Sequence, residues 1–203
     1  MAGAGALAFA VFTAAPIVVG NVPGGSYDEA TVASYVSIGY FPTVVVLGYL
    51  GLLGVLGLIC LLAYLRHVIA GDNGRGYAAN VFWGIGLASA ACIAVSWGLV
   101  TGIALAAAEG GHAASVPHPE TYVLSDTSLN VLFGSGAILL GFALIVLMLS
   151  SRGVLPTGLR YLTLVAGILA TASPAFFPAV AIPIWGIVIG VWILATRRTP
   201  KGA

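Results

Sequence analysis

Charged side chains are scarce in this sequence. Lys, Arg, Asp and Glu make up 6% of its 203 residues, whereas 60% are hydrophobic and the mean hydropathy is +1.10. A soluble domain carries about a quarter charged residues. A water-facing surface built from this chain would therefore expose large apolar patches. The composition predicts that lipid surrounds the protein.

Basic residues and cysteines are also few. The chain has seven Lys and Arg and a formal net charge of +1. A surface that binds phosphate groups needs a cluster of basic side chains, so the composition argues against nucleic acid as a partner. Cys60 and Cys92 both fall in apolar runs, where a thiol is expected to pack as a small buried hydrophobe. Neither a CxxC pattern nor a set of four cysteines suggests a metal or redox site.

Sequence motifs of catalysis are missing as well. The chain contains no GxSxG, no HExxH and no phosphate-binding P-loop. Its apolar runs carry no central histidine, which argues against an intramembrane bis-histidine haem site. The sequence thus favours a protein that is not an enzyme and that holds no cofactor.

What the sequence does contain is a series of apolar runs of about twenty residues, the length that crosses about 30 Å of hydrocarbon. The runs cover residues 2-20, 43-65, 79-108, 129-150, 155-173 and 178-196. None contains Asp, Glu or Lys, and their single Arg, Arg160, lies near the start of the fifth run, from which it can reach the interface. The chain is therefore predicted to be one all-α transmembrane domain, 1-203, a polytopic helix bundle of about six spans.

Two polar segments, 21-42 and 109-128, are predicted to be outer loops. In the first, Ser26 stands three residues before Glu29, the spacing of a capping box. This spacing predicts that a short interfacial helix begins at Ser26. The first apolar run lacks a basic flank and a small-residue cleavage site, so it is predicted to be a retained span rather than a signal peptide.

The charges sort onto two sides when each run crosses once. One side receives seven basic residues, Arg66, Arg75, Arg152, Arg160, Arg197, Arg198 and Lys201. The other side receives five acidic residues, Asp28, Glu29, Glu109, Glu120 and Asp126, and leaves Asp72 among the basic loops. Basic loops stay in the cytoplasm. Both termini are therefore predicted to be cytoplasmic, in a multi-pass protein of the inner (plasma) membrane.

Small residues recur at regular spacings in the runs. Four of these series stand out: Gly84, Ala88, Cys92 and Ser96; Gly98 and Gly102; Gly48, Gly51, Gly54 and Gly57; and Gly186 and Gly190. Helices in lipid associate through close packing at small residues. The series every three residues drifts slowly around its helix and leaves a smooth groove. Either packing within the bundle or dimerisation explains such faces, and packing within the bundle is favoured.

The four tryptophans divide by position. Trp83, Trp185 and Trp192 are predicted to be interface or lipid-facing anchors, since tryptophan is enriched at membrane interfaces. Trp97 lies deeper in its run and is predicted to pack between helices.

The second outer loop holds the main concentration of potentially reactive groups. His112, His118, Glu120 and Asp126 are the candidate metal ligands, because imidazole and carboxylate together bind divalent ions. Their spacing matches no standard ligand pattern, and Pro117 and its neighbours favour an extended chain at His118. A solvated polar loop is favoured over a metal site.

Three stretches carry a family resemblance: YDEATVASYVSIGYF, then LSDTSLNVLFGSGAILLGFALIVLMLSSRGVLPTGLRYLTLVAGILA, and finally FFPAVAIPIWGIVIGVWILA. In hydropathy and turn residues the chain resembles a family of small bacterial six-helix integral membrane proteins whose domain has no known function. The resemblance covers nearly the whole chain. It implies a six-span fold and implies no catalytic residues.

The leading functional hypothesis is a non-catalytic integral membrane protein, an accessory or structural subunit or a self-associating helix bundle. Its expected partners are the lipid bilayer and either a membrane protein or further copies of the chain. One alternative is a carrier or channel for a neutral or lipid-like molecule, and a weaker one is an outer-face metal-binding enzyme or sensor. Spans nearly free of ionisable side chains disfavour charge-coupled transport. A dry, packed interior would favour the subunit, and an open polar one the conduit.

Overall fold

The computed structural model describes residues 1–19, 26–37, 39–71, 75–109, 119–176 and 180–196. Its helices are α1 Ala2–Val19, α2 Glu29–Tyr35, α3 Phe41–Ala70, α4 Gly76–Glu109, α5 Pro119–Ser150, α6 Thr157–Thr171, α7 Ser173–Phe176 and α8 Ala181–Thr196. Within α5, the segment Val131–Gly136 is π-helical. These residues contain no strand, and the all-α prediction is confirmed over them.

Three helices are long and apolar enough to cross a membrane. They are α3, the Gly76–Ala106 part of α4, and α5. Shorter apolar helices, Ala2–Ala14 within α1 together with α6 and α8, stand beside them. Together these helices fall on the apolar runs of the sequence. A long α3 of 30 residues spans about 45 Å, more than the hydrocarbon thickness, so it tilts or extends beyond the core.

The six apolar helices form a closed ring. In order around the ring they are α1, α3, α4, α5, α6 and α8, and α8 packs again on α1. Large side chains fill the centre, among them Phe9, Phe82, Trp97, Leu140 and Trp185, all fully buried. The ring therefore has a packed core.

The start of α5 differs from the predicted boundary. Residues 119–128, which the sequence places in an outer loop, are helical from Pro119 onward. Proline suits the first turn of a helix because its missing N–H has no partner there, and Glu120 interacts favourably with the helix N-terminus. These local signals extend the helix beyond its apolar part.

A short helix, α2, lies where the sequence predicts one, but its first residue is not the expected one. Asp28, not Ser26, is the N-cap, and its carboxylate accepts hydrogen bonds from the backbone N–H groups of Ala30 and Thr31 at 3.3 and 3.2 Å. The Thr31 hydroxyl donates to the same carboxylate and, as the largest influence, lowers the pKa of Asp28. Aspartate is as good an N-cap as serine, so the capping-box spacing alone misplaced the start.

Candidate functional site

A small apolar cavity lies among α1, α4, α5 and α8. Its volume is about 40 Å³, and its lining is Phe9, Thr13, Ile93, Leu132, Phe133, Ala137, Leu140, Ile182 and Pro183. A space of this size holds no more than about three water molecules. Thr13 supplies the only side-chain hydroxyl of this lining, and that hydroxyl has no hydrogen-bond partner. The cavity is therefore too small and too apolar to be a conduit.

Two buried serines join α4 to α5 on either side of most of its π-helical segment, at Gly136 and at Ser128. Ser89 donates to the carbonyl oxygen of Gly136, and Ser96 donates to that of Ser128, each at 2.7 Å. The donors are seven residues apart on α4, whereas the acceptors are eight apart on α5. A π-helical turn absorbs one extra residue, so the two helices stay in register across both bonds. In lipid, backbone groups disturbed by such a turn need partners of this kind.

A tyrosine at the end of α2 joins this helix to α4. The Tyr35 hydroxyl donates to the Val100 carbonyl oxygen at 2.8 Å, and the side chain is 1% exposed. Burial raises the pKa of Tyr35 far above its ordinary value, so the hydroxyl stays a donor. Nearby, the rings of Tyr27 and Tyr122 meet edge to face with centroids 5.4 Å apart. The helix α2 is thus held to α4 rather than lying free on the surface.

The glycines of α3 face its two neighbours in the ring. A Cβ added at Gly48 or Gly51 would overlap Thr101 or Trp97 of α4. A Cβ added at Gly54 would lie 2.8 Å from the Thr13 hydroxyl of α1, and one at Gly57 would overlap the Gly5 carbonyl oxygen. Packing within the bundle is therefore confirmed for this series.

The two fully buried tryptophans have different surroundings. Trp97 is 1% exposed, which confirms its predicted position between helices. The prediction of an interface anchor is wrong for Trp185, which is fully buried and donates through Nε1 to the Thr163 hydroxyl at 3.0 Å. A hydroxyl on the neighbouring helix removes the need for an interfacial partner. Trp83 and Trp192 are half-buried, and the Arg66 guanidinium lies 5.8 Å from the Trp83 ring centroid.

The outward face of α4 is a stripe of small residues. Its members are Gly84, Ala88, Ala91, Val95, Gly98 and Gly102, all exposed. No heavy atom outside the helix itself lies within 4 Å of a Cβ built at the three glycines. The spacing alternates between four and three residues, which is the period of a straight seam in left-handed helix pairs. We call these six residues the α4 seam.

The α4 seam differs from the outward faces of α6 and α8. Exposed positions of α6 and α8 carry large side chains, Tyr161, Val165, Ile168, Leu169, Ile184, Ile187, Val188 and Val191. The sequence-based series of every four residues mixed two faces, because Gly84 and Ala88 are exposed whereas Ser96 is buried. It missed Ala91 and Val95, which the alternating spacing would have found.

The cysteines depart from the expected burial. Cys60 is exposed on α3 and Cys92 is half-buried on α4, and both are free thiols. The prediction that Cys60 is buried is therefore wrong, because in lipid an apolar run has no polar side to mark its outward face.

The candidate metal ligands fall partly outside the described residues. His112 and His118 lie there, so their proposed role stays a prediction. Glu120 is exposed, and Asp126 is half-buried and accepts a hydrogen bond from Asn130 at 3.0 Å. Six positions on one helix place these two carboxylates on different faces. Among the described residues, no three His, Cys, Asp or Glu side chains gather in a way that could hold a metal ion.

Comparison of the chain with family models, with curated proteins and with solved structures gives no match. The α4 seam and the packed interior are therefore the features from which a function is argued.

Proposed function

We propose that this protein is a non-catalytic integral membrane protein, an accessory or structural subunit that associates laterally through the α4 seam. The partner is a second copy of the chain or another membrane protein. The observation that carries the proposal is the seam itself, a straight row of exposed small residues whose three glycines have no atom of another helix within 4 Å of a built Cβ. Small residues let two helix backbones approach closely, which is the main source of helix association in lipid.

A groove beside the seam adds to this argument. It lies between the outer halves of α3 and α4, has a volume of about 260 Å³, and is floored by Gly48, Gly98 and Gly102. Tyr49 stands at its edge and is 66% exposed. A partner helix on the seam would bring its larger side chains into this groove.

The packed interior supports a subunit over a carrier. A carrier for a neutral molecule needs a polar cavity at mid-membrane depth, whereas the cavity among α1, α4, α5 and α8 has a volume of about 40 Å³ and is lined by a single hydroxyl, that of Thr13. The proposal includes six crossings, with both termini on the cytoplasmic side of a bacterial plasma membrane. The charge distribution supports this topology, because the connections at one end of the ring carry four arginines, Arg66, Arg75, Arg152 and Arg160.

Cysteine crosslinking tests the association. In a background in which Cys60 and Cys92 are alanine, single cysteines at Ala91, Val95 and Gly98 should form intermolecular disulfides in native membranes. A cysteine at Val191 on the outward face of α8 is the matched control and should form none. A different protein as partner would instead appear as a mixed adduct from a photo-crosslinking residue at the same positions.

Size measurement in mild detergent completes the test. The unmodified protein should migrate as a stable oligomer or complex, and Gly98→Leu should reduce it to the monomer. A strictly monomeric, partner-free species that also gives no adduct in membranes would refute the proposal. Labelling of a cysteine at Arg75 and of a tag at the C-terminus from the same side of the membrane would support the topology, and labelling from opposite sides would refute it.

A further inference from the structure

A second groove opens at the basic end of the ring. It lies where the start of α4 meets the end of α5, and its volume is about 480 Å³. Its walls are apolar, and Arg75 and Tyr77 stand at its mouth. The apolar part is formed by Ala78, Val81, Val146 and Leu149. Leu149 is 62% exposed and Tyr77 is 83% exposed, so the groove faces outward from the ring.

Arginines lie at this end of the ring, and one of them, Arg75, lines the groove. The Arg75 guanidinium donates to the carbonyl oxygen of Arg152, which ties it to the turn after α5. Arg152 itself is exposed. The Arg160 guanidinium donates to the Met148 carbonyl oxygen through Nε and Nη2 at 3.4 and 3.3 Å. The described acidic residues all lie in segments at the opposite end of the ring. The basic end therefore attracts anions.

An apolar wall and positive charge therefore meet at the same groove. The groove has an apolar wall that continues about 6 Å below Ser150, the length of four helical residues from Val146. Above that wall lie Arg75, before α4, and Arg152, in the turn after α5, joined by the hydrogen bond from the Arg75 guanidinium to the Arg152 carbonyl oxygen. A soluble anion would use the charges and leave the wall exposed, and a neutral lipid tail would use the wall and leave the charges idle. A phospholipid with a net negative headgroup matches both.

We propose that this groove binds one anionic phospholipid. Its phosphate lies at Arg75 and Arg152, its glycerol region lies beside the Tyr77 hydroxyl, and the upper part of an acyl chain lies along Val81 and Leu149. Basic pockets between helices at the membrane surface bind such headgroups because charge attraction adds to chain packing. This site is separate from the α4 seam and does not depend on it.

Lipid retention measures the site directly. Purified protein in mild detergent is mixed with equal amounts of phosphatidylglycerol and phosphatidylcholine, and bound lipid is counted by native mass spectrometry. The unmodified protein should retain phosphatidylglycerol in preference to phosphatidylcholine. Arg75→Gln should reduce phosphatidylglycerol retention about fivefold, the contribution of one arginine near an anionic surface, and leave phosphatidylcholine unchanged.

Arg66→Gln is the matched control for charge. Arg66 belongs to the same end of the ring, but its guanidinium donates to the Asn80 side-chain oxygen at 2.9 and 3.2 Å, away from the groove. It should leave retention within about twofold of the unmodified protein. Equal losses in the two variants would show diffuse attraction and overturn the proposal, as would equal retention of the two lipids by the unmodified protein.

A second pair of variants tests the wall without changing charge. Leu149→Trp fills the groove and should lower phosphatidylglycerol retention about as much as Arg75→Gln does. Tyr161→Trp, at an exposed position near the start of α6, is its control and should have no effect. Thermal unfolding of each variant checks folding. If Arg75→Gln does not fold, full retention by a folded Leu149→Trp would still overturn the proposal.

Discussion

The helices α3 and α4 are both rich in glycine, and they use it in opposite ways. Each glycine of the α3 series lies against an atom of α1 or α4, whereas a Cβ built at Gly84, Gly98 or Gly102 of α4 would meet no atom of another helix within 4 Å. Glycine content alone therefore does not distinguish packing within a bundle from a surface for a partner. The spacing does, because it determines whether the series turns around the helix or stays on one line.

The geometry of α3 follows from its spacing of three residues. Each step of three turns the helix by about 300°, which is about 60° short of a full turn. Four glycines therefore sweep about half the circumference, from the side of α4 at Gly48 to the side of α1 at Gly57. The alternating spacing of the α4 seam averages about 3.5 residues per step, against three in the α3 series, so the seam stays on one face of its helix. One pattern serves two neighbours in turn, and the other suits a single straight partner.

The largest effect should come from Gly57→Leu. A side chain there would overlap the Gly5 carbonyl oxygen, and a backbone atom cannot move aside as a side chain can. We expect a loss of about 3 kcal/mol in the free energy of unfolding, the upper part of the range for overpacking. Unfolding of detergent-solubilised protein by heat or denaturant measures it.

Gly98→Leu is the matched control, with the same substitution on the outward face of α4. It should change the stability of the monomer by less than about 0.5 kcal/mol, as surface substitutions do. If both variants lost stability equally, the contrast between the two helices would be wrong. Equal tolerance of both variants would contradict the close contact of α3 with α1.

A smaller effect should come from Gly51→Ala, through the Trp97 ring. The added methyl group would overlap the indole, at a cost of about 2 kcal/mol. Trp97→Ala removes the ring atoms that the methyl group would overlap, Cγ, Cδ2 and Cε2, so a double-mutant cycle should show a favourable coupling of about 1 kcal/mol. Additive losses would mean that Gly51 and Trp97 do not share the contact on which the α3 series depends.

The sequence predicts where these helices lie much better than which side of each faces inward. Apolar runs are enough to locate helices, because a run of this length in lipid has to satisfy its own backbone hydrogen bonds. Inward and outward faces are both apolar in lipid, so the contrast that marks a buried face in water is missing. Cys60 and Trp185 were misplaced for this reason. The α3 series was placed correctly because size, not polarity, carried its signal.

The groove at the basic end was beyond sequence-based prediction for a different reason. Arg75 and Arg152 are 77 residues apart in sequence and meet only because α4 and α5 pack side by side. Charge sorting placed both arginines on one side of the membrane but could not place them at one groove. The candidate metal ligands showed the opposite case. Glu120 and Asp126 are close in sequence, but they lie on different faces of one helix.

The two fully buried tryptophans offer a further comparison, because the indole N–H of Trp185 on α8 has a hydrogen-bond partner and that of Trp97 on α4 has none. Trp185→Phe removes the hydrogen bond to the Thr163 hydroxyl and should cost about 1 kcal/mol. Trp97→Phe removes an indole N–H that has no partner, so its cost should be limited to lost packing. Thermal unfolding of the two variants, together with Thr163→Val, separates the contributions. Non-additive effects of Trp185→Phe and Thr163→Val would confirm the bond, whereas full additivity would contradict it.

The smallest effect should come from the buried serines of α4. They form hydrogen bonds on its inward face, whereas the outward α4 seam has no polar side chain. Ser96→Ala removes the bond to the Ser128 carbonyl oxygen, and we expect a loss of about 0.6 kcal/mol, the average for such bonds between helices in lipid. Ser135→Ala, at an exposed position of the π-helical turn, is the control and should have no measurable effect. The sharper readout is amide hydrogen exchange, because loss of the Ser96 hydroxyl should raise exchange selectively in Val131–Gly136. Unchanged exchange there would mean that packing alone holds the π-helical turn. The hydroxyls on the inward face of α4 would then contribute no more to association with a neighbouring helix than the small side chains of the α4 seam.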